Sequence, residues 1–168
     1  MILYHKEFNS SNFNFEIPKK IADKLFLIDS GKPKETTGEM VDSVGKFYNR
    51  SPNMVRKIIN DIEKVTIKLE SSVKNFDVNL FKECLSNNEK MLEKLKVVSE
   101  KTKKLLTDLS DFGVGKITGA GGKKTDSGFI LFLAEDKEKL VEFLKRKKID
   151  HYQFVQDHQG LRYEKNQS

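Results

Sequence analysis

The spacing of apolar positions changes along the chain, and each change predicts a different kind of element. Ile2 to His5 and Phe13 to Ile17 alternate with the two-residue period of strands. Lys24-Leu25-Phe26-Leu27-Ile28-Asp29 is a nearly continuous apolar run, as in a strand covered on both faces. Ser30-Gly31-Lys32-Pro33 then turns the chain. Beyond it the step becomes three and four residues. Met40, Val41, Val44, Phe47 and Tyr48 make one helix, and Val55, Ile58, Ile59, Ile62, Val65, Leu69 and Val73 a longer one of about five turns. Ser51-Pro52 opens the longer helix, with serine placed to cap and proline at the first helical position. A third helix carries Leu80, Phe81, Cys84, Leu85, Met91, Leu92 and Leu95. A fourth runs from its cap, Ser99, to Phe112, where Gly113 stops it.

The strand period returns around Ile117 and from Gly128 to Ala134. Glu135 and Asp136 then open a helix with Leu140, Val141, Phe143 and Leu144 inward, and Lys145 to Lys148 complement its dipole. Asp150 to Val155 and Leu161 to Glu164 predict a hairpin across Asp157-His158-Gln159-Gly160. Strands, four helices, two strands, a helix and a strand make an α+β domain. Its last unit predicts a ferredoxin-like antiparallel sheet that includes Leu25 to Ile28, with helices on one face.

At 168 residues the chain reads as one domain able to bury a core without staples. The single cysteine, Cys84, leaves no internal disulfide and reads as a small buried apolar residue. No apolar run approaches the roughly 18 residues of a membrane span, and the amino terminus has no signal-like segment, so no membrane and a cytoplasmic setting are expected. The net charge of +6 invites a polyanion. The lysines, however, are interleaved with glutamates and aspartates along helices, the pattern of a solvated face, which argues against nucleic acid. His151 and His158 have no further histidine or cysteine near them, so no metal site is expected.

The candidate chemistry lies in Lys116-Ile117-Thr118-Gly119-Ala120-Gly121-Gly122. Three glycines in four residues remove the side chains that hold a ligand off the backbone. They also permit the positive φ angles that aim successive N–H groups into one hollow, which suits phosphate. An ordinary hairpin loop uses glycine in the same way, and on residue types alone both readings stand. Lys123 and Lys124 could add positive charge. Before the Met40 helix, Thr36 or Thr37 serves as an N-cap or, with the helix amides, addresses an anion. Asn88, on the third helix, reads as a helix contact or part of a site wall.

Three stretches together resemble the carboxyl-terminal half of the mevalonate kinases, in the GHMP kinase superfamily. Leu27-Ile28-Asp29-Ser30-Gly31-Lys32-Pro33 through Thr37 and Val41 is similar to the family's strand, turn and threonine-initiated helix. Asn88 to Ser99 resembles its passage between two helices, and Lys116 to Gly122 resembles its third motif. The resemblance implies a domain over residues 1–168, with 1–23 the end of an amino-terminal lobe. It also implies ATP and Mg2+ as cofactors, held mostly by residues outside this chain, and a mevalonate-like small-molecule substrate. Gly119, Ala120, Gly121 and Gly122 would line the phosphate side, and Thr36 or Thr37 the substrate side. The family's third motif continues with further glycines where Lys123 to Ser127 stand here.

Nothing in the chain resembles the family's ATP loop or the motif that carries its catalytic aspartate. The resemblance therefore implies no catalytic residue in this chain, no activity for the chain alone, and an amino-terminal kinase half in trans or missing. The alternative is a non-catalytic ferredoxin-like module binding RNA or protein, with Phe129, Phe132, Tyr152 and Phe154 as stacking residues.

Overall fold

The computed structural model describes residues 16–156 and, before them, the backbone of two short strands, β1 (Ile2–Tyr4) and β2 (Ser10–Asn12), which pair antiparallel. The second strand thus forms earlier than expected, and Ile17 lies in irregular chain just before the short helix α1 (Lys19–Ala22). Residues 13–15, and the expected hairpin turn and returning arm beyond residue 156, with His158, lie outside the described residues.

The main sheet has four antiparallel strands. These are β3 (Leu25–Asp29), β4 (Gly113–Ile117), β5 (Phe129–Ala134) and β6 (His151–Gln153), in the spatial order β4-β5-β3-β6. This is the expected ferredoxin-like arrangement. The continuous apolar run of β3 is explained by its central place, with Phe26 opposite Phe132 and Ile28 opposite Ile130 on one side and β6 on the other. Between β3 and β4 come α2 (Thr37–Arg50), α3 (Pro52–Lys74), α4 (Val78–Lys94) and α5 (Glu100–Asp108), and α6 (Lys137–Lys147) links β5 to β6. β4 begins at Gly113, three residues before the strand-like stretch singled out in the sequence. A short 3-10 turn, Ser110–Phe112, separates it from α5.

Alternation along the strands divides the core in two. Phe26, Ile28, Ile130 and Phe132 point to the face where Leu109, Leu140 and Leu144 of the α5 and α6 regions pack. Leu25 and Leu133 point the other way, onto Ile21, Val73, Phe81 and Leu85. One face is therefore covered by helices as expected. The α3–α4 hairpin adds a second apolar cluster on the opposite face, because α4 wraps the edge strand β4 rather than lying flat with α5. Cys84 is buried in α4, and burial raises its thiol pKa. The α2 stripe is mostly peripheral: Met40 is buried, but Val41 is 64% exposed. No helix among the described residues is long and apolar enough to cross a membrane.

Candidate functional site

Two connections meet at one end of the sheet, because Asp29 and Ile117 end their strands where Phe129 begins its own. The Ser30 N–H donates to the Gly128 carbonyl at 3.0 Å, and the Gly128 N–H to the Gly31 carbonyl at 3.1 Å. The ladder thus runs on past the strands. Behind it four buried hydroxyls close a network. Ser99, the cap of α5, donates to Thr102 Oγ1 at 2.9 Å, Thr102 to Ser30 Oγ at 3.3 Å, and Ser30 to the Gly128 carbonyl at 2.6 Å. Ser127 Oγ accepts from the Ser99 N–H at 3.0 Å and donates to the Gly122 carbonyl at 3.2 Å. The three stretches quoted for the family resemblance are thereby bonded to one another.

The glycine run itself is an open loop, not a tight hairpin: eleven residues, Thr118 to Gly128, separate β4 from β5. The Thr118 N–H is taken by Phe129 and the Gly122 N–H by the Val97 carbonyl. Among the described residues nothing accepts from the N–H groups of Gly119, Ala120 or Gly121, and Gly119 and Ala120 are exposed. Gly119 (φ +87°) has open space where a side chain would stand. Gly121 (φ +75°) presses on the Val97 carbonyl, which any Cβ would overlap, and a Cβ at Gly122 would overlap Asp126. Half of the motif is glycine because the loop packs on its own domain. The other half is open.

Lys123 and Lys124 do not reach into this turn. Their N–H groups donate to Glu35 Oε1 at 3.2 and 3.0 Å, and Lys123 Nζ donates to Ser43 Oγ of α2 at 2.9 Å. They line a separate cleft of about 370 Å³ with Glu39, Met40, Asp42 and Lys46. The two threonines also separate. Thr36 is the N-cap of α2 in a reciprocal box with Glu39, whose carboxyl is held below its usual range by the Thr36 N–H, then by its hydroxyl. Thr37, in the first turn, is exposed and its hydroxyl has no partner among the described residues. Asn88 is half-buried, with no side-chain hydrogen bond among the described residues.

Its neighbour Glu89 is 6% exposed. Glu89 Oε2 accepts the Ile117 N–H at 2.8 Å, and burial pushes its pKa up to about 7 against the pull of that bond. Lys116 Nζ donates to the Ile117 carbonyl at 2.7 Å, and desolvation lowers its pKa. The sequence held a signal for Glu89. It falls four residues after Leu85 and three before Leu92, at the edge of the apolar stripe whose centre Asn88 occupies, and it is Glu89 rather than Asn88 that the structure buries.

No protein-family model matches the chain, and no curated protein matches it significantly. Solved structures do. The Methanococcus jannaschii mevalonate kinase superposes with a TM-score of 0.67 at 24% identity, over 88% of this chain and 44% of that one. The L. major mevalonate kinase, solved with R-mevalonate, gives 0.64 at 16% identity over 73% and 38%. The Streptococcus pneumoniae phosphomevalonate kinase, solved with phosphomevalonate and AMPPNP, gives 0.60 at 20% over 77% and 39%. The chain has a fold found in GHMP kinases. It spans 38% to 44% of the length of these three kinases, and at these identities the likeness speaks to the GHMP kinase fold alone.

Proposed function

We infer that this chain is the carboxyl-terminal lobe of an ATP-dependent, mevalonate kinase-like small-molecule kinase, working in the cytoplasm with an amino-terminal half. The observation that carries this reading is the run of amides at Gly119, Ala120 and Gly121 left unpaired among the described residues, in a loop that the buried hydroxyl network braces at Gly122 and Gly128. Phosphoryl transfer rests on positioning and on stabilising charge on the transferred group, and N–H groups fixed in advance supply that to a phosphate. The kinase fold supports the reading.

In this account Gly122 braces the turn and its amide stays with Val97, so the phosphate side narrows to Gly119–Gly121. Thr37, not Thr36, offers the free hydroxyl on the substrate side. The residues present suit the anionic part of ATP but not Mg2+. The open turn at Gly119–Gly121 carries no carboxylate, the nearby Asp126 is paired with Lys101 at 2.6 Å, and among the described residues no three His, Cys, Asp or Glu side chains gather to hold a metal ion. Metal ligands and a general base belong to the other half.

The test is reconstitution. The purified chain alone should not turn over ATP with mevalonate, and a second polypeptide carrying the ATP loop and catalytic aspartate should restore turnover. Turnover by this chain alone would contradict the reading.

One observation favours the RNA-binding alternative. Phe129 and Tyr152 are 39% and 55% exposed on the sheet face away from α6, with ring centroids 6.2 Å apart. Phe132, however, is fully buried and Phe154 packs in the second core cluster, so only two of the four aromatics are open to a base. A salt-dependent shift with single-stranded RNA would support this alternative.

A further inference from the structure

Ile117 is the last residue of the edge strand β4, and its N–H and carbonyl both point away from β5, where no further strand among the described residues meets them. Both are nevertheless satisfied, the N–H by Glu89 of α4 and the carbonyl by the amine of Lys116. The first free amide of the glycine turn, that of Gly119, comes two residues later. Glu89 is more than nine-tenths buried, and its second oxygen, Oε1, has no hydrogen-bond partner among the described residues. The charged groups that act on it are Glu93 on its own helix, Lys116 on β4 and Lys103 on α5, the last already paired with Glu100 at 2.7 Å.

A buried carboxylate with one oxygen unpartnered is costly, and proteins keep such a group when it does something a neutral side chain would not. Here it grips the residue that launches the glycine turn. We propose that Glu89 and Lys116 are positioning residues for the turn, holding Ile117 by its two polar groups, and that the charge on Glu89 sets how well the amides of Gly119 to Gly121 accept an anion. This rests on the reading of those amides as an anion site. Ionised, Glu89 places a negative charge close behind the site and opposes a second anion. Protonated, it leaves the positive charge of Lys116 unopposed. Anion binding and proton uptake by Glu89 therefore favour each other, and because burial brings its pKa up to about 7 the exchange falls near neutrality.

The test uses the whole chain, isotope-labelled, with sulfate as the probe because its charge does not change over the range. In the ligand-free protein the Glu89 carboxyl carbon and the amides of Ile117, Gly119, Ala120 and Gly121 should titrate with one shared midpoint. In Glu89→Gln, which keeps an acceptor for Ile117, those amides should not titrate. Sulfate affinity at the turn should fall roughly five-fold or more from about pH 6 to about pH 8 in the wild type and stay constant in Glu89→Gln.

Should Glu89→Gln fail to fold, the wild-type titration still decides. Turn amides that ignore the titration of Glu89 overturn the positioning role. Sulfate binding that ignores pH overturns the coupling and leaves the anion site standing. No sulfate binding at either pH removes the anion site itself, and the coupling with it.

Discussion

The N–H of Gly122 donates to the Val97 carbonyl at 2.9 Å, and this bond divides the glycine run into a packed part and an open part. Val97 sits in the connection between α4 and α5, so the contact ties the loop to the helical layer; Gly119 and Ala120 stay exposed, while Gly121 is buried with its N–H unpaired among the described residues. The loop's conformation is imposed by its own domain before any ligand arrives, which lowers the ordering cost of binding.

Gly121→Ala should be much more damaging to stability than Gly119→Ala. At Gly121 the new Cβ overlaps a backbone carbonyl that cannot swing away, and the positive φ adds strain, together about 3 kcal/mol. At Gly119 only the φ opposes the change, about 1 kcal/mol. Urea unfolding of the two variants measures the difference, and equal losses would contradict the division of the loop.

Thr36→Ala should cost about 1 kcal/mol of stability by opening the capping box with Glu39. Thr37→Ala should leave stability within about 0.5 kcal/mol and, in the reconstituted kinase, should weaken turnover of the small substrate. Denaturation and steady-state kinetics on the two variants separate a capping threonine from a substrate-facing one.

Ser127→Ala removes the acceptor of the Ser99 N–H and the donor to the Gly122 carbonyl, both in a buried setting. A loss of about 1–3 kcal/mol is expected, with faster hydrogen exchange at Ser99 and Gly122. Exchange unchanged at both amides would show that the hydroxyl network does not brace the loop.

Glu89 should make stability depend on pH. Its folded pKa, about 7, lies above the ordinary 4.5, so its proton is held more tightly in the folded state. The stability it contributes is full below about pH 4.5 and is lost as pH rises through about 7, up to about 3 kcal/mol in all. Compared at about pH 5 and about pH 8, Glu89→Gln should therefore gain on the wild type at the higher pH. A constant difference between the two proteins would contradict the raised pKa.

The sheet was legible because β3 carries an unbroken apolar run and β5 repeats it, and a strand covered on both faces has little other way to read. Ser99 marked one helix start through a side-chain cap and Pro52 another by its place at the first helical position, although the Ser51 side chain expected to cap there makes no cap hydrogen bond. The site was less legible. The glycines pointed to the turn, but periodicity holds no sign that Gly122 would be spent on Val97 or that Glu35 would draw the lysine amides aside, since both contacts join distant segments. The choice of Thr36 over Thr37 as the cap was open to the sequence, since Thr36-x-x-Glu39 has the capping-box spacing and Thr37-x-x-Met40 does not. The apolar spacing of α2 located the helix but not its burial, because that helix lies at the margin of the core, with Met40 inside and Val41 exposed.

The central claim is that the amides of Gly119, Ala120 and Gly121 are a ready-made phosphate site, and it is tested most directly by titrating the labelled chain with pyrophosphate while following backbone amides. Saturable shifts should concentrate on those three residues and spare Gly122, whose N–H is already engaged. Shifts confined to the lysines that end α6, or none at all, would contradict it.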